Sequence, residues 1–323
     1  MRLPAAKTGP SPKGERLQHY LRGIPPAFYG LIFIIILYSL VSPGFLTTRN
    51  ILTLLIQGSM LLVISLGMTL VVLSGGVDLS LGALLSLCGV VMAMMLVSGQ
   101  SLFMAIIVTL LVGVLCGLTT GTLVARFGLQ PFVASFGMLG VCEGIALVFT
   151  DGSSIIVRNP YLRSLAASYL MGIPMAGWFA GLCFVAFYVI LYKTRFGAYV
   201  YGIGGNEEAT ILSGIRVIRY KTGIYVLAGL SAAMASLIMT GRLNAAHPFV
   251  AIGYEFDAVA SVIVGGTAFE RGRGGIWGTL VGVAFISVLR NGLNIIGVNP
   301  FAQVPVIGAV IILAIILGKA QKR

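Results

Sequence analysis

The side chains able to do chemistry in this sequence are few and scattered: 9 Asp and Glu, 2 His and 4 Cys among 323 residues. The acidic residues fall into small groups. Asn206, Glu207, Glu208 and Ala209 open a short stretch that ends near Gly214. Asn is a favoured N-cap, and carboxylates in a first turn complement the helix dipole. A short amphipathic helix is expected there, with Ile211, Leu212 and Ile215 as its apolar side and Gly214 as its stop. Gly202, Gly204 and Gly205 are expected to turn the chain just before it. A cap, a charge pair and an apolar ridge in one loop favour a docking helix over a merely solvated loop.

Gly75 and Gly76 interrupt an apolar run, and Asp78 follows, with Ser80 nearby. Asp78 is either a cap for the next helix or part of a gate, because broken helices in membrane carriers line cavities. Glu255 and Asp257 sit between apolar runs, at an outer mouth in the topology derived below. A catalytic carboxylate pair is rejected for them, since no His or nucleophile accompanies the two. They are expected to meet a basic partner or to be hydrated. Glu143 lies mid-run, and an intramembrane carboxylate is a functional candidate by default. Arg290 is expected to snorkel at a span end, while Asn291 and Asn294 face a polar path.

Metal and redox chemistry find no support. Cys88, Cys116, Cys142 and Cys183 all lie in apolar runs without a C-x-x-C pair, and read as small buried hydrophobes. His19 and His247 are far apart. No G-x-x-x-x-G-K-[ST] or H-E-x-x-H is present, and G-I-G-G-N-E at Gly202 misses the dinucleotide pattern. An enzyme reading has no catalytic cluster to rest on.

The elements that must hold these residues are membrane helices. The chain is 58% apolar and 9% charged, and its mean hydropathy is +1.02. Soluble domains carry about 25% charged residues, so a soluble enzyme and a disordered chain are both excluded. Apolar runs cover approximately 27–42, 51–73, 79–97, 101–123, 132–150, 174–192, 222–241, 256–269, 276–290 and 303–318. The first is read as a retained span, because no A-x-A-like cleavage site follows it. The run at 256–269 is short and starts beside Asp257. The expected fold is an all-α transmembrane bundle of about ten spans, with eight or nine and a re-entrant segment as the alternative. Residues 1–26 form a flexible basic tail, 27–318 the membrane domain with a loop at 193–221, and 319–323 a second basic tail.

The net charge of +12 belongs to tails and loops. With the N-terminus in the cytoplasm and ten spans, 16 of the 21 Lys and Arg residues fall inside. That bias places both termini in the cytoplasm and explains the charge without nucleic acid. Gly113, Gly117 and Gly121 repeat every fourth residue, as do Gly274, Gly278 and Gly282, and Gly140 with Gly144 makes a shorter case. Such spacing puts glycines on one helix face and lets another backbone approach. The two long motifs fall on the fourth and ninth spans, which fits an inverted repeat.

The stretches GMTLVVLSGGVDLSLGALLSL, TRFGAYVYGIGGNEEATILSGIRV, GYEFDAVASVIVGGTAFERGRGGIWGTLVG and RNGLNIIGV occur in this order from about residue 43. As a set they resemble the membrane permease subunit of bacterial ribose-type sugar ABC transporters. Arg290 stands where an uncharged polar residue is common in that family. The resemblance implies an inner-membrane homodimer, two cytoplasmic ATPase subunits that hold ATP and Mg, and a periplasmic sugar-binding protein. It makes the Asn206–Gly214 segment an ATPase-coupling helix, and Gly75, Gly76 and Asp78 gating elements near the path. The substrate class it implies is a ribose-like pentose, a hexose or a related sugar. The competing reading is an ion-coupled carrier using Glu143.

Overall fold

The structure, a computed structural model, describes residues 26–268 and 272–320. The basic tail up to residue 25, Glu270, Arg271 and the last three residues lie outside the described residues. The long helices are α1 (Pro26–Val41), α2 (Thr48–Leu73), α3 (Leu81–Val97), α4 (Leu102–Ala125) and α5 (Pro131–Thr150). A connection follows with the strand β1 (Ile155–Ile156), helix α6 (Pro160–Ala167) and the hairpin β2 (Tyr169–Leu170) and β3 (Ile173–Pro174). Then come α7 (Met175–Lys193), α8 (Arg195–Gly205), α9 (Glu207–Leu212) and α10 (Val217–Leu243). Strand β4 (Ala245–Ala246) pairs antiparallel with β1, and α11 (Tyr254–Val264), α12 (Ile276–Ile295) and α13 (Pro300–Ala320) complete the chain.

Every one of the ten apolar runs contains a helix, but the helices are not alike. Among the described residues, six are long and apolar enough to cross a membrane: α2, α4, α5, α7, α10 and α12. Ala27–Val41 and α3 are shorter apolar helices. Helix α11 has 11 residues. At 1.5 Å per residue that is about 16 Å, half of a hydrocarbon core of about 30 Å.

Local signals explain the helix ends. Ser101 Oγ accepts from the Met104 amide at 3.3 Å to start α4. Asn159 caps α6 through the amides of Tyr161 and Leu162. Helix α5 begins on Pro131, and Asp151 ends it with a left-handed φ of 47°. Within the spans, hydroxyls turn back on their own helix: Thr69 donates to Ser65, Thr109 to Ala105 and Thr150 to Ala146. Such bonds satisfy polar groups where no water reaches them.

Burial sorts the bundle into centre and rim. Residues 59–73 of α2 are buried all round, as are residues 81–90 of α3 and most of α10. Helices α4, α5 and α7 bury one stripe each. On α5 it is Ala134, Met138, Cys142, Ala146 and Thr150, every fourth residue. Phe103, Leu111 and Leu115 of α4 and Phe132, Phe136 and Val148 of α5 point outward, exposed. Both faces of α4 are apolar, and there side-chain size marks the buried one, with Ala105, Thr109, Gly113, Gly117, Thr120 and Gly121 on it.

The tightest seam joins α4 to α10. A Cβ on Gly113 would lie 2.6 Å from the Gly229 carbonyl oxygen, and one on Gly121 would lie 2.9 Å from Thr222 Cα. Gly117 sits against the Tyr225 carbonyl between them, with no room for a side chain. The partners descend along α10 as the glycines ascend α4, so the helices are antiparallel. Gly278 and Gly282 lie in the same way against the backbone of Gly265 and Ser261. Gly274 does not belong to that stripe. It stands before α12 at φ +123°, beside the Ala268–Arg273 bridge, because the chain turns there. Gly140 and Gly144 also depart from expectation: they face open space on the exposed side of α5.

The pairing pattern repeats within the bundle. Helix α4 packs on α3 and α10, while α12 packs on α11 and α2. Exchanging α2, α3 and α4 for α10, α11 and α12 leaves these pairings unchanged. In each set a long helix is followed by a non-helical reversal and a shorter helix. Between the sets, Gly67 of α2 approaches Ala228 and Ser231 of α10.

The seam yields a prediction. Gly117→Val forces α4 and α10 apart and costs about 1–3 kcal/mol or more, as overpacking does. Thermal unfolding in mild detergent should show a clear loss for that variant and little for Gly140→Val.

Candidate functional site

Helix α9 is short and well marked. Asn206, in extended backbone, accepts from the Ala209 amide at 2.9 Å. Thr210, the buried residue of the helix, donates back to the Asn206 carbonyl at 2.8 Å. Gly214 takes a left-handed φ of +80° two residues past the end. Of the ridge expected from the sequence, Ile211 and Leu212 stand out from the bundle, 54% and 88% exposed, while Ile215 lies past the end of the helix and is half-buried. Two apolar side chains on a capped helix therefore have no cover among the described residues.

The two carboxylates of α9 diverge. Glu207 turns back and takes the Lys221 ammonium on both oxygens, at 2.6 and 2.8 Å. Glu208 is exposed and has no side-chain partner among the described residues. Upstream, Gly202, Gly204 and Gly205 do not turn the chain as expected, since all three belong to α8. Gly204 packs on the Leu73 carbonyl at the end of α2, and tertiary contact there overrides the weak helix propensity of glycine. Tyr201 of the same helix donates to the Gly274 carbonyl at 3.0 Å, and burial pushes its phenol above the usual range.

These elements line an open cavity of about 380 Å³. Its walls include Ser74, Gly75 and Gly76 from the end of α2, Asn206 and Glu207 from α9, and Lys221 and Tyr225 from α10. Two segments far apart in sequence thus share one space. Gly75 breaks α2 at φ +88°. A Cβ on Gly76 would meet the Tyr225 hydroxyl at 2.7 Å, and that hydroxyl is buried without a partner among the described residues. Asp78 is buried beyond the break, and its Oδ1 accepts from the Ser80 amide at 2.9 Å and the Ser80 hydroxyl at 2.5 Å. It closes an Asx turn ahead of α3 and does not line the cavity.

At the start of α11 the expected mouth carboxylates are both buried, Glu255 at 4% and Asp257 at 2% exposure. The hydrated alternative is therefore corrected. Asp257 holds Arg290 of α12, with Nη2 donating to Oδ1 at 2.7 Å and Nε 2.6 Å from Oδ2. Arg290 does not simply snorkel: its guanidinium neutralises a buried carboxylate. Glu255 Oε1 accepts from the Gly253 amide at 3.1 Å, while Oε2 is buried over Gly82 without a hydrogen bond.

Asn291 is buried and exchanges two amide bonds with Asn50 of α2, at 2.8 and 2.9 Å. Asn294 accepts from Gln303 at 2.8 Å. The asparagines therefore tie helices together within this chain. Glu143 is half-buried on α5 and has no hydrogen-bond or ion-pair partner among the described residues. All four cysteines are free, and no group of three or more His, Cys, Asp or Glu able to hold a metal occurs among the described residues.

Sequence reasoning missed Lys221, Tyr225, Asn50 and the buried hydroxyl pair of Thr69 and Thr279, 2.7 Å apart. Lys221 is the one with a detectable signal. It is the last cation of the loop and the first charge before a long apolar helix, but no helical spacing links it to Glu207.

Residues 50–315 match the family described as branched-chain amino acid transport system / permease component. The ribose import permease protein RbsC of Bacillus subtilis is 43% identical over 296 residues, 91% of this chain and 92% of that protein. RbsC of Escherichia coli K12 is 38% identical, covering 90% of this chain and 92% of its own. The D-allose transport system permease protein AlsC of the same strain is 34% identical over 90% of each chain. No solved structure matches. A bundle with six helices able to cross a membrane, matched over residues 50–315, is a multi-pass inner-membrane protein and belongs to the family of branched-chain amino acid transport system permease components.

Proposed function

We propose that this chain is the membrane permease subunit of a bacterial ABC importer for a ribose-like pentose, a hexose or a related sugar. The uncovered ridge of Ile211 and Leu212, on a capped helix that shares a cavity with the Gly75–Gly76 break, carries this reading. A docking partner seated on that ridge acts directly beside a broken helix. The relatives named for ribose and D-allose supply the substrate class. ATP and Mg belong to the partner ATPase, and this chain performs no covalent chemistry.

In this proposal the α9 end faces the cytoplasm, together with both termini, and the ten helical runs act as spans or partial spans. The partial helix α11 does not cross alone and behaves as a broken-helix element, as in other carriers. Two copies pair in the membrane, and a periplasmic sugar-binding protein delivers at the opposite face. ATP binding closes the ATPase pair and shifts α9. The bundle then alternates its access from one side to the other, and hydrolysis resets it. Asp78 and Asn291 hold the helix ends that move, while Glu255 and the Asp257–Arg290 pair lie toward the side that receives the sugar.

The first test is a tagged pull-down from native membranes in mild detergent, read by mass spectrometry. A P-loop ATPase and a periplasmic binding protein should come with the chain, and the ligand of the latter names the sugar. Recovery of the chain alone after crosslinking overturns the proposal. The docking surface has its own test. Leu212→Asp combined with Glu208→Lys should weaken ATPase association at least tenfold, since one buried Leu contributes about 1.5–3 kcal/mol. Normal association would place the coupling surface elsewhere. Glu143→Gln should keep ATP-driven uptake near wild type; its abolition would instead support the ion-coupled reading.

A further inference from the structure

We propose that α10 carries the motion of the coupling helix across the membrane, and that the Lys221–Glu207 pair is the contact by which α9 drives it. This rests on the function proposed above and adds to it a positioning residue, Lys221. The argument starts from the weakness of α9. Its six residues are far too few for independent stability, so its position is set by what it touches. Thr210 turns inward against Gly202 of α8, a van der Waals contact, and its hydroxyl donates to the Asn206 carbonyl of its own cap. The Glu207 carboxylate is different, because both its oxygens engage a cation on another helix. Lys221 is 18% exposed and Glu207 43%, so the pair is partly shielded from solvent.

Helix α10 is built to pass a displacement on. Its 27 residues reach about 40 Å, enough to run from one face of a bilayer to the other. Near its start, Tyr225 presses on Gly76 at the break after α2. Along its middle, Gly229 and the Tyr225 carbonyl meet the glycines of α4 backbone to backbone, which leaves no compliant side chains between the two helices. Near its far end, Gly241 packs on the Leu162 carbonyl of α6. Just past that end, β4 hydrogen-bonds to β1. A shift entering at Lys221 therefore reaches the Gly76 break, α4 and the far connection through close contacts. Glu208, on the same turn of α9, is exposed and contributes nothing to this linkage.

The experiment uses the whole transporter, permease with its ATPase and binding protein, in proteoliposomes. The readouts are sugar taken up per ATP hydrolysed and co-purification of the ATPase. Lys221→Met and Glu207→Gln should each lower uptake per ATP about tenfold while the ATPase still co-purifies. The charge-swapped double variant, Lys221→Glu with Glu207→Lys, should restore most of the ratio, and Lys221→Arg should retain it. A structural role alone would lower the amount of folded transporter without changing the ratio. If Lys221→Met fails to fold, the swap and Lys221→Arg carry the test in its place. A wild-type ratio in Lys221→Met overturns the proposal. So does a swapped variant no better than either single one, or loss of ATPase binding in Glu207→Gln alone, which would make Glu207 a docking contact. A wild-type complex without ATP-driven uptake would overturn the proposed function itself, and this inference with it.

Discussion

The absence of water inside a bilayer governs this molecule. Lipid is as apolar as leucine, so helices gain nothing by hiding leucine from it. What remains is the closeness with which backbones can meet. The α4–α10 seam shows the result: Gly113, Gly117 and Gly121 of α4 and Gly229 of α10 bring main chain against main chain over about two helical turns. The α11–α12 contact uses the same device at Gly265, Gly278 and Gly282. Large side chains are thereby sent outward, and the rim of Phe and Leu on α4 and α5 follows from the packing inside.

The same constraint explains the polar interior. A buried hydrogen-bonding group in a membrane must find a partner in the protein. Most do: hydroxyls turn back on their own helix, Asn50 and Asn291 satisfy each other, and Thr69 meets Thr279. Two exceptions are Tyr225 Oη, which lies at the Gly76 break, and Glu255 Oε2, which lies over Gly82 in the first turn of α3. Ser65 and Ser261 also keep a buried hydroxyl oxygen without a partner among the described residues, both within regular helix.

Much of the fold was legible in the sequence because apolar runs of spanning length have few alternatives. Each run holds a helix, and Asn-Glu-Glu after the glycines located α9 and its cap. What escaped has physical causes. Helix α8 is rich in glycine and reads as a turn, yet it packs on the end of α2, where only glycine fits. Gly274, Gly140 and Gly144 share the spacing of the packing glycines, but spacing does not say whether a neighbour stands opposite. The ion pairs were the least legible. Glu207 with Lys221, and Asp257 with Arg290, join residues 14 and 33 positions apart, and only the tertiary fold makes them neighbours.

The Asp257–Arg290 pair also has an electrical meaning. A single charge moved through a membrane potential does work of about 2.3 kcal/mol per 100 mV. A carboxylate and a guanidinium locked together carry no net charge, so displacing this pair through the field does almost no electrical work, and of the charged residues on α11 and α12 only Glu255 is left to feel the potential.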